Sequence, residues 1–349
     1  MIIIFAILLF SFLIFIHEFG HFIAAKMSGV QVNEFALFMG PALIKWKRGD
    51  TQYSIRCIPI GGYCSMEGEN EDTDNPCSFQ KAKWWKRLII LIAGSFMNFL
   101  VGLIIIAVVL GCSPKYNSMQ IEEVESWSTF AEDNTLHKGD IIRKFNGQSI
   151  SIYDDFALEI FNLPDGKYDI VVEREGQLIE LLDVRMELRE DNDGYKRYGI
   201  SFARKDTTVG SVVTQVFPTA GNYVRQVFKM FGLLFEGELG LNDFTGPVGI
   251  VDAMNQVADA APDGWYAFLS VLNIGGLLAI NLSVMNMLPI PALDGGRTVG
   301  LLLTTFIEKI TRKKIPEKYE AYIHGIGMVL LLILMALILF KDVFNIFSR

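Results

Sequence analysis

His17-Glu18-Phe19-Gly20-His21 follows sixteen residues, 1–16, none of which carries a charged side chain. On a helix, residues four apart share a face, so His17 and His21 can grip one metal ion. Glu18 between them is placed to take a proton from a water activated by that ion, the spacing that zinc proteases use. Two histidines and a glutamate are costly in a membrane helix unless they do something, which argues against a chance match at the end of an apolar segment. The chemistry this points to is hydrolysis of a peptide bond inside a membrane or at its edge.

A second group of chemically apt residues lies far along the chain, in Asn286-Met287-Leu288-Pro289-Ile290-Pro291-Ala292-Leu293-Asp294-Gly295-Gly296. Two prolines and two glycines around an aspartate unwind a helix locally, and a carboxylate at such a break can turn toward a neighbour. His17, His21 and Asp294 would make a two-His, one-carboxylate set with a fourth position left for water. Two competing readings stand beside it. Asp294 could be the N-cap of the following helix, and His324, at the start of a later apolar stretch, could replace it as third ligand.

These residues need elements to carry them to one place. Four apolar stretches are long enough to span a bilayer at about 20 residues per crossing: 1–25, 88–111, 267–288 and 323–340. The first lacks the basic start and small-residue cleavage site of a signal peptide and bears the candidate ligands, so it is expected to be retained. Half of the chain, 51%, is hydrophobic, and the net charge of −8 collects in the middle, roughly 113–265. No basic block suggests a nucleic-acid partner; the bilayer is the expected one.

Lys and Arg cluster between spans one and two, from Lys26 to Arg87, and between spans three and four at Lys309, Arg312, Lys313, Lys314 and Lys318. Both segments are therefore predicted to be cytoplasmic, with the acidic middle and both termini outside. His17 lies about 24 Å along the first span, and the third runs roughly 33 Å before Pro289. Both motifs thus reach the cytoplasmic side.

The middle of the chain reads as a separate soluble domain. Lys138–Gln148 is a turn, a strand and an Asn-Gly turn, and Val171–Gln177 is a strand leading into a second tight turn. The pattern resembles a PDZ domain over about 115–205, and the roughly 60 residues after Arg204 do not repeat it.

HEFGHF at 17–22 and NMLPIPALDGG at 286–296 resemble the two defining motifs of the site-2 protease family, in its bacterial regulator-of-sigma-E-protease branch. Gly61-Gly62-Tyr63, after Ile58-Pro59-Ile60, resembles that family's membrane-associated β-hairpin. Ala93-Gly94-Ser95-Phe96-Met97-Asn98 resembles its second-helix motif, with Ser95 where a proline is usual. Thr245–Ile250 resembles the segment that precedes its third span.

The resemblance implies an intramembrane zinc metalloprotease of the bacterial cytoplasmic membrane. It implies Zn2+ held by His17, His21 and Asp294, Glu18 as general base, and Asn286 in contact with substrate. It implies substrates that are transmembrane segments of single-span proteins, either anti-sigma factors already trimmed outside or remnant signal peptides. The PDZ-like domain then acts as a size filter or sensor. The strands around Ile44–Trp46, Tyr53–Ile58 and Tyr63–Met66 are expected to offer an edge that an extended substrate joins. The competing class is a catalytically silent membrane scaffold that binds partners through the PDZ-like domain; the presence of every expected catalytic residue argues against it.

The expected fold is a polytopic α-helical membrane protein with four transmembrane helices, a cytoplasmic-side β-hairpin region and one extracytoplasmic PDZ-like α/β domain. Its parts are a membrane core over 1–112, the PDZ-like domain over 113–206, an extracytoplasmic linker over 207–266 with an amphipathic helix at about Tyr223–Leu241, and a second membrane core over 267–349.

Overall fold

The uncharged N-terminal run forms helix α1 (Ile2–Ser28) in this computed structural model, which describes residues 2–69, 73–161, 163–191, 194–238, 240, 246–312 and 318–347. Strands β1 (Val32–Arg48) and β2 (Thr51–Met66) follow, then helix α2 (Trp84–Cys112). The chain divides into two units, Met1–Ile105 with Val227–Arg349, and Ile106–Gln226.

β1 and β2 are long enough to fold back on themselves. Residues 32–37 pair with 62–66 on one side and 52–55 on the other, and 42–48 pair with 51–56. The result is a four-segment antiparallel meander in the order 62–66, 32–39, 51–58, 42–48. Its free edges are the first and last of these. Tyr53–Ile55 is therefore interior, paired on both sides, and does not offer the edge expected of it. Within the sheet, Ser54 Oγ and Arg56 Nη2 donate to Glu34 at 2.6 and 2.8 Å, and Arg56 Nη1 donates to the Gly40 carbonyl at 2.6 Å. Burial would raise the Glu34 carboxyl, but hydrogen bonds from Ser54, Tyr63 and Arg56 override it and hold it at about 2.

The second unit contains β3 (Lys115–Val124), α3 (Thr129–Glu132), β4 (Ile141–Phe145), β5 (Gln148–Ser149), α4 (Tyr153–Ile160), β6 (Gly166–Arg174), β7 (Gln177–Met186), the short pair β8 (Arg189–Glu190) and β9 (Lys196–Arg197), and β10 (Ile200–Asp206). The antiparallel sheet runs β10-β3-β4-β6-β7, with β5 beside β4. Asn146 and Gly147 both have positive φ, 46° and 82°, the backbone of a tight hairpin turn that matches strand twist. Phe130, Phe145, Phe156, Ile142, Ile170 and Met186 form its core, each buried. Asp140, 1% exposed, takes Arg174 in a two-point ion pair at 2.7 Å. Helix α5 (Val209–Glu236) is tied to this unit where Asp155 accepts from Asn222 at 3.0 Å and from Arg225.

The rest of the first unit is helical: α6 (Pro247–Asp259), α7 (Gly264–Asn286), α8 (Asp294–Thr311) and α9 (Lys318–Phe347). Pro247 opens α6 at a position where its missing N–H costs nothing. Asp263 caps α7 by accepting from the Trp265 and Tyr266 amides at 2.9 and 3.0 Å. The segment expected to be a linker is thus mostly helix. α5 starts at Val209, well before Tyr223, and α6 was not foreseen. Leu241, Thr245, Lys313 and Lys314 lie outside the described residues. α1, α2 and α7 are long and apolar enough to cross a membrane; the described apolar run of α9, Tyr322–Ile338, is shorter.

Two apolar clusters hold the helices of this unit. Ala6, Leu9 and Leu13 of α1 pack with Met254 of α6 and Val271 and Ala279 of α7. Toward the other end of α1, Ala24 and Ala25 pack with Val32, Phe35, Ile90 and Leu301, which joins α1, the sheet, α2 and α8. Ser283 on α7 donates to the Ser95 carbonyl at 2.7 Å, and α2 runs unbroken through Ser95.

Candidate metal centre

α1 carries His17, Glu18 and His21 on its C-terminal half, and Asp294 is the first residue of α8. The path to Asp294 is a tight loop after α7. The Ile290 amide bonds the Leu288 carbonyl at 2.7 Å, and the Leu293 amide bonds the Ile290 carbonyl at 3.2 Å. Gly295 allows the loop to fold onto its own helix start, since a Cβ there would lie 2.3 Å from the carbonyl oxygens of Met287 and Leu288. The N-cap of α8 is Leu293, so the capping role considered for Asp294 does not apply. Its carboxylate faces the histidines instead, at a helix start where the dipole favours negative charge. Arg297, one turn on, pairs with Glu69 beyond β2.

His17 Nε2 and His21 Nε2 each lie 3.1 Å from Asp294 Oδ2, and 3.2 Å from each other. The three side chains are only 9–19% exposed. His21 Nδ1 is 2.8 Å from the Ile90 carbonyl on α2. A carbonyl only accepts, so Nδ1 holds the proton and Nε2 keeps its lone pair. Asp294 Oδ2 is buried with no hydrogen-bond donor among the described residues. Two lone-pair atoms thus face one point beside His17 Nε2, and a cation satisfies them. The separations of 3.1–3.2 Å are close to the edge of about 3.3 Å for tetrahedral zinc with N and O ligands at about 2.0 Å. The donor set fits zinc.

Glu18 is not one of the three converging groups. Its Oε2 accepts from the Cys64 amide of β2 at 3.0 Å, which sets the carboxylate between α1 and the 62–66 edge. Asn286, the last residue of α7, brings its amide within 3.5 Å of His17 Nδ1. His324 is not in the group that converges, and its Nδ1 accepts from the Ala292 amide at 3.0 Å.

Three contributors escape a reading of side-chain chemistry. The Ile90 carbonyl and the Cys64 amide are backbone groups, and no residue type signals them. The third is Gly94, in the 93–98 motif. A Cβ there would lie 2.3 Å from His21 Nε2 and 2.8 Å from His17 Cε1, so α2 can approach the site only without a side chain. Gly20 opposite it is equally tight, 2.4 Å from the Ala93 carbonyl oxygen.

The profile of peptidase family M50 matches residues 5–334. A Clostridium perfringens protein named as a zinc metalloprotease is 34% identical over 345 residues, with 98% of each chain covered. Zinc metalloprotease RasP of Shouchella clausii is 27% identical over 430 aligned residues, and the regulator of sigma-W protease RasP of Bacillus subtilis is 25% identical over 425. Each of these also covers 98% of both chains. The matched span runs from α1 into α9 and so takes in both halves of the site, and on this ground the chain belongs to peptidase family M50, the site-2 proteases, and is a zinc metalloprotease.

Proposed function

We propose that this enzyme cuts transmembrane segments of single-span membrane proteins within the bilayer, with His17, His21 and Asp294 holding Zn2+, Glu18 as general base and Asn286 contacting the substrate. The observation that carries the reading is the meeting of two histidine nitrogens from the C-terminal half of the apolar helix α1 with a carboxylate oxygen at the start of α8, just beyond the apolar helix α7. A zinc ion held there supplies Lewis-acid chemistry, polarising the scissile carbonyl and lowering the pKa of water. Glu18 Oε2 is fixed by the Cys64 amide, which leaves Oε1 to receive the proton of the attacking water and pass it to the leaving amine. The Ile90 carbonyl holds the His21 ring in one tautomer and orientation.

A transmembrane helix hides its carbonyls in its own hydrogen bonds, so a substrate must unwind before it is cut. The 62–66 edge beside Glu18, apart from the Cys64 amide that Glu18 holds, can replace some of those lost bonds by strand addition. Its position next to the base supports it over the distant 42–48 edge. The name of the B. subtilis relative, a regulator of sigma-W protease, supports anti-sigma factors as a substrate class; remnant signal peptides share the needed single-span form. Loop charge supports a fourth span in α9, a cytoplasmic-side site, and a PDZ-like domain outside the bacterial cytoplasmic membrane.

The PDZ-like domain fits a filter that obstructs substrates with bulky outer parts, since no Gly-Leu-Gly-Phe carboxylate loop opens it. One observation favours recruitment as a second reading. A groove of 880 Å³ runs between α4 and the edge strand β10, lined by the apolar Tyr153, Phe156, Ile200 and Phe202 and by the charged Lys115, Glu122, Lys196, Arg197 and Arg204. Such a groove suits an extended chain ending in a carboxylate.

The deciding experiment measures zinc content and cleavage of a model transmembrane substrate in proteoliposomes, with Glu18→Gln as control. Equal cleavage by Glu18→Gln would sink the mechanism. Absence of cleavage by a zinc-loaded wild type on every single-span substrate would favour the silent scaffold.

A further inference from the structure

We infer that His324, on α9, is a positioning residue that seats the loop carrying Asp294. The inference rests on the reading of Asp294 as a zinc ligand. The loop between α7 and α8 is short of backbone donors, because Pro289 and Pro291 have none. Ile290 and Leu293 bond within the loop, as described above. The Ala292 amide instead crosses to another helix, where His324 Nδ1 accepts it at 3.0 Å. Ala292 sits at φ 78°, a left-handed backbone that a residue with a Cβ holds only when its surroundings impose it.

The second half of the seat lies three residues on, on the same face of α9. Gly327 is buried, and a Cβ there would lie 2.3 Å from Pro291 Cβ and 2.8 Å from the Pro291 carbonyl carbon and oxygen. α9 thus lays a bare backbone on Pro291 and a hydrogen-bond acceptor on Ala292. Asp294 follows two residues later. Any drift of Ala292 passes to Asp294 through a single residue, Leu293. A histidine also carries a cost in the otherwise apolar stretch from Tyr322 to Ile338, and the bond from the Ala292 amide gives it a structural use there.

The role is that of an acceptor at Nδ1, so replacements sort by where they place a lone pair. Asn puts Oδ1 where histidine has Nδ1, whereas Leu keeps bulk and removes the acceptor. Full-length wild type, His324→Asn and His324→Leu are compared in detergent micelles. Three quantities are read: hydrogen exchange of the 288–294 backbone in metal-free protein, the rate of zinc release to a chelator, and kcat and KM on a model transmembrane substrate.

His324→Leu is expected to exchange faster over 288–294 and to release zinc about tenfold faster, the effect of losing a partner that holds a ligand in place. Its kcat should fall with KM nearly unchanged. His324→Asn should restore all three to within about threefold of wild type. Gly327→Ala, which keeps His324 but pushes Pro291 away, should release zinc faster as well. Matching behaviour of the Asn and Leu variants, both intact or both impaired, overturns the acceptor role. Unchanged zinc release in Gly327→Ala overturns the seat. Failure of the underlying reading is distinct: Asp294→Ala would then keep its zinc, while hydrogen exchange in the metal-free protein still reports on His324.

Discussion

Gly94→Ala is the sharpest test of how the proposed zinc site is built, because it adds one methyl group and no polarity. The new Cβ would stand 2.3 Å from His21 Nε2 and 2.8 Å from Cε1 of both histidines. Carbon and nitrogen pack without repulsion at about 3.5 Å, so the His21 ring must retreat by about 1.2 Å. Ligand positions in a metal site tolerate about 0.2 Å. The ring cannot swing away cheaply, because its Nδ1 is bonded to the Ile90 carbonyl on the same helix that carries the new methyl. The other relief, separation of α1 from α2, would undo the close fit of Gly20 on the Ala93 carbonyl. Losing a partner that merely orients a ligand costs 10–100-fold in affinity, so displacing the ligand itself should weaken zinc by at least about 100-fold. Overpacking should cost only about 1–3 kcal/mol of stability, leaving a folded protein to assay. Zinc affinity is measured by chelator competition on purified Gly94→Ala, with Gly111→Ala as control; that position is on the same helix and faces open space. A Gly94→Ala protein that binds zinc within threefold of wild type refutes the close approach of α2 to the ligands.

Glu18→Gln should keep its zinc and lose about 10²–10⁴-fold in kcat, since a glutamine can still accept from the Cys64 amide but cannot take the proton; metal analysis and turnover together check it. Asp294→Ala should be purified with little zinc under conditions that load the wild type, as metal analysis would show. Arg174→Met should destabilise the β4–β6 part of the second unit by about 3 kcal/mol, because Asp140 is left buried without its partner; hydrogen exchange on the full chain reads this. Burial raises the Asp140 carboxyl, but Arg174 and the His137 amide outweigh it and hold it below its usual value. The stability it contributes is therefore complete above about pH 4 and fades as pH falls through the folded value, so the exchange difference between wild type and Asp140→Asn should shrink on acidification. Deletion of 115–205 should leave cleavage of a short, trimmed substrate intact and admit the untrimmed one if the domain filters; loss of cleavage of the trimmed form would instead favour recruitment through the α4–β10 groove.

The chemistry was legible where it resides in residue types and spacing. His17, Glu18 and His21 state their own geometry once α1 is read as a helix. The prolines and glycines around Asp294 announce a break. Asn146-Gly147 marks its turn because few other pairs accept two positive φ values. What stayed hidden depends on contacts between distant segments. The sequence predicts three strands with a common edge, but the folding of β1 and β2 back on themselves turns on bends near Gly40 and Gly61, and only the register shows that Tyr53–Ile55 is interior. α6 is not legible because its burial depends on partners that the sequence does not show, with Met254 fully enclosed by α1 and α7. His324 was weighed as a ligand because histidine type is visible and direction is not. Its partner is an amide 32 residues away.

The placement of Glu18 links the two problems that hydrolysis in a membrane must solve. Water must be activated where little water is present, and a substrate backbone must be opened where nothing else satisfies its polar groups. In the proposed mechanism the Cys64 amide joins both tasks: it orients Glu18, and it belongs to the strand whose edge would receive the opened backbone. A substrate strand added along 62–66 is thereby brought beside the base by the same hydrogen-bonding edge that stabilises it. Changes that bend this edge, such as a side chain at Gly62, where a Cβ would stand 2.9 Å from the Ala36 carbonyl and 3.8 Å from Glu18 Cγ, should therefore impair substrate binding and proton transfer together while leaving zinc in place. A Gly62→Val enzyme that lost zinc but bound substrate normally would separate the two tasks and break this link.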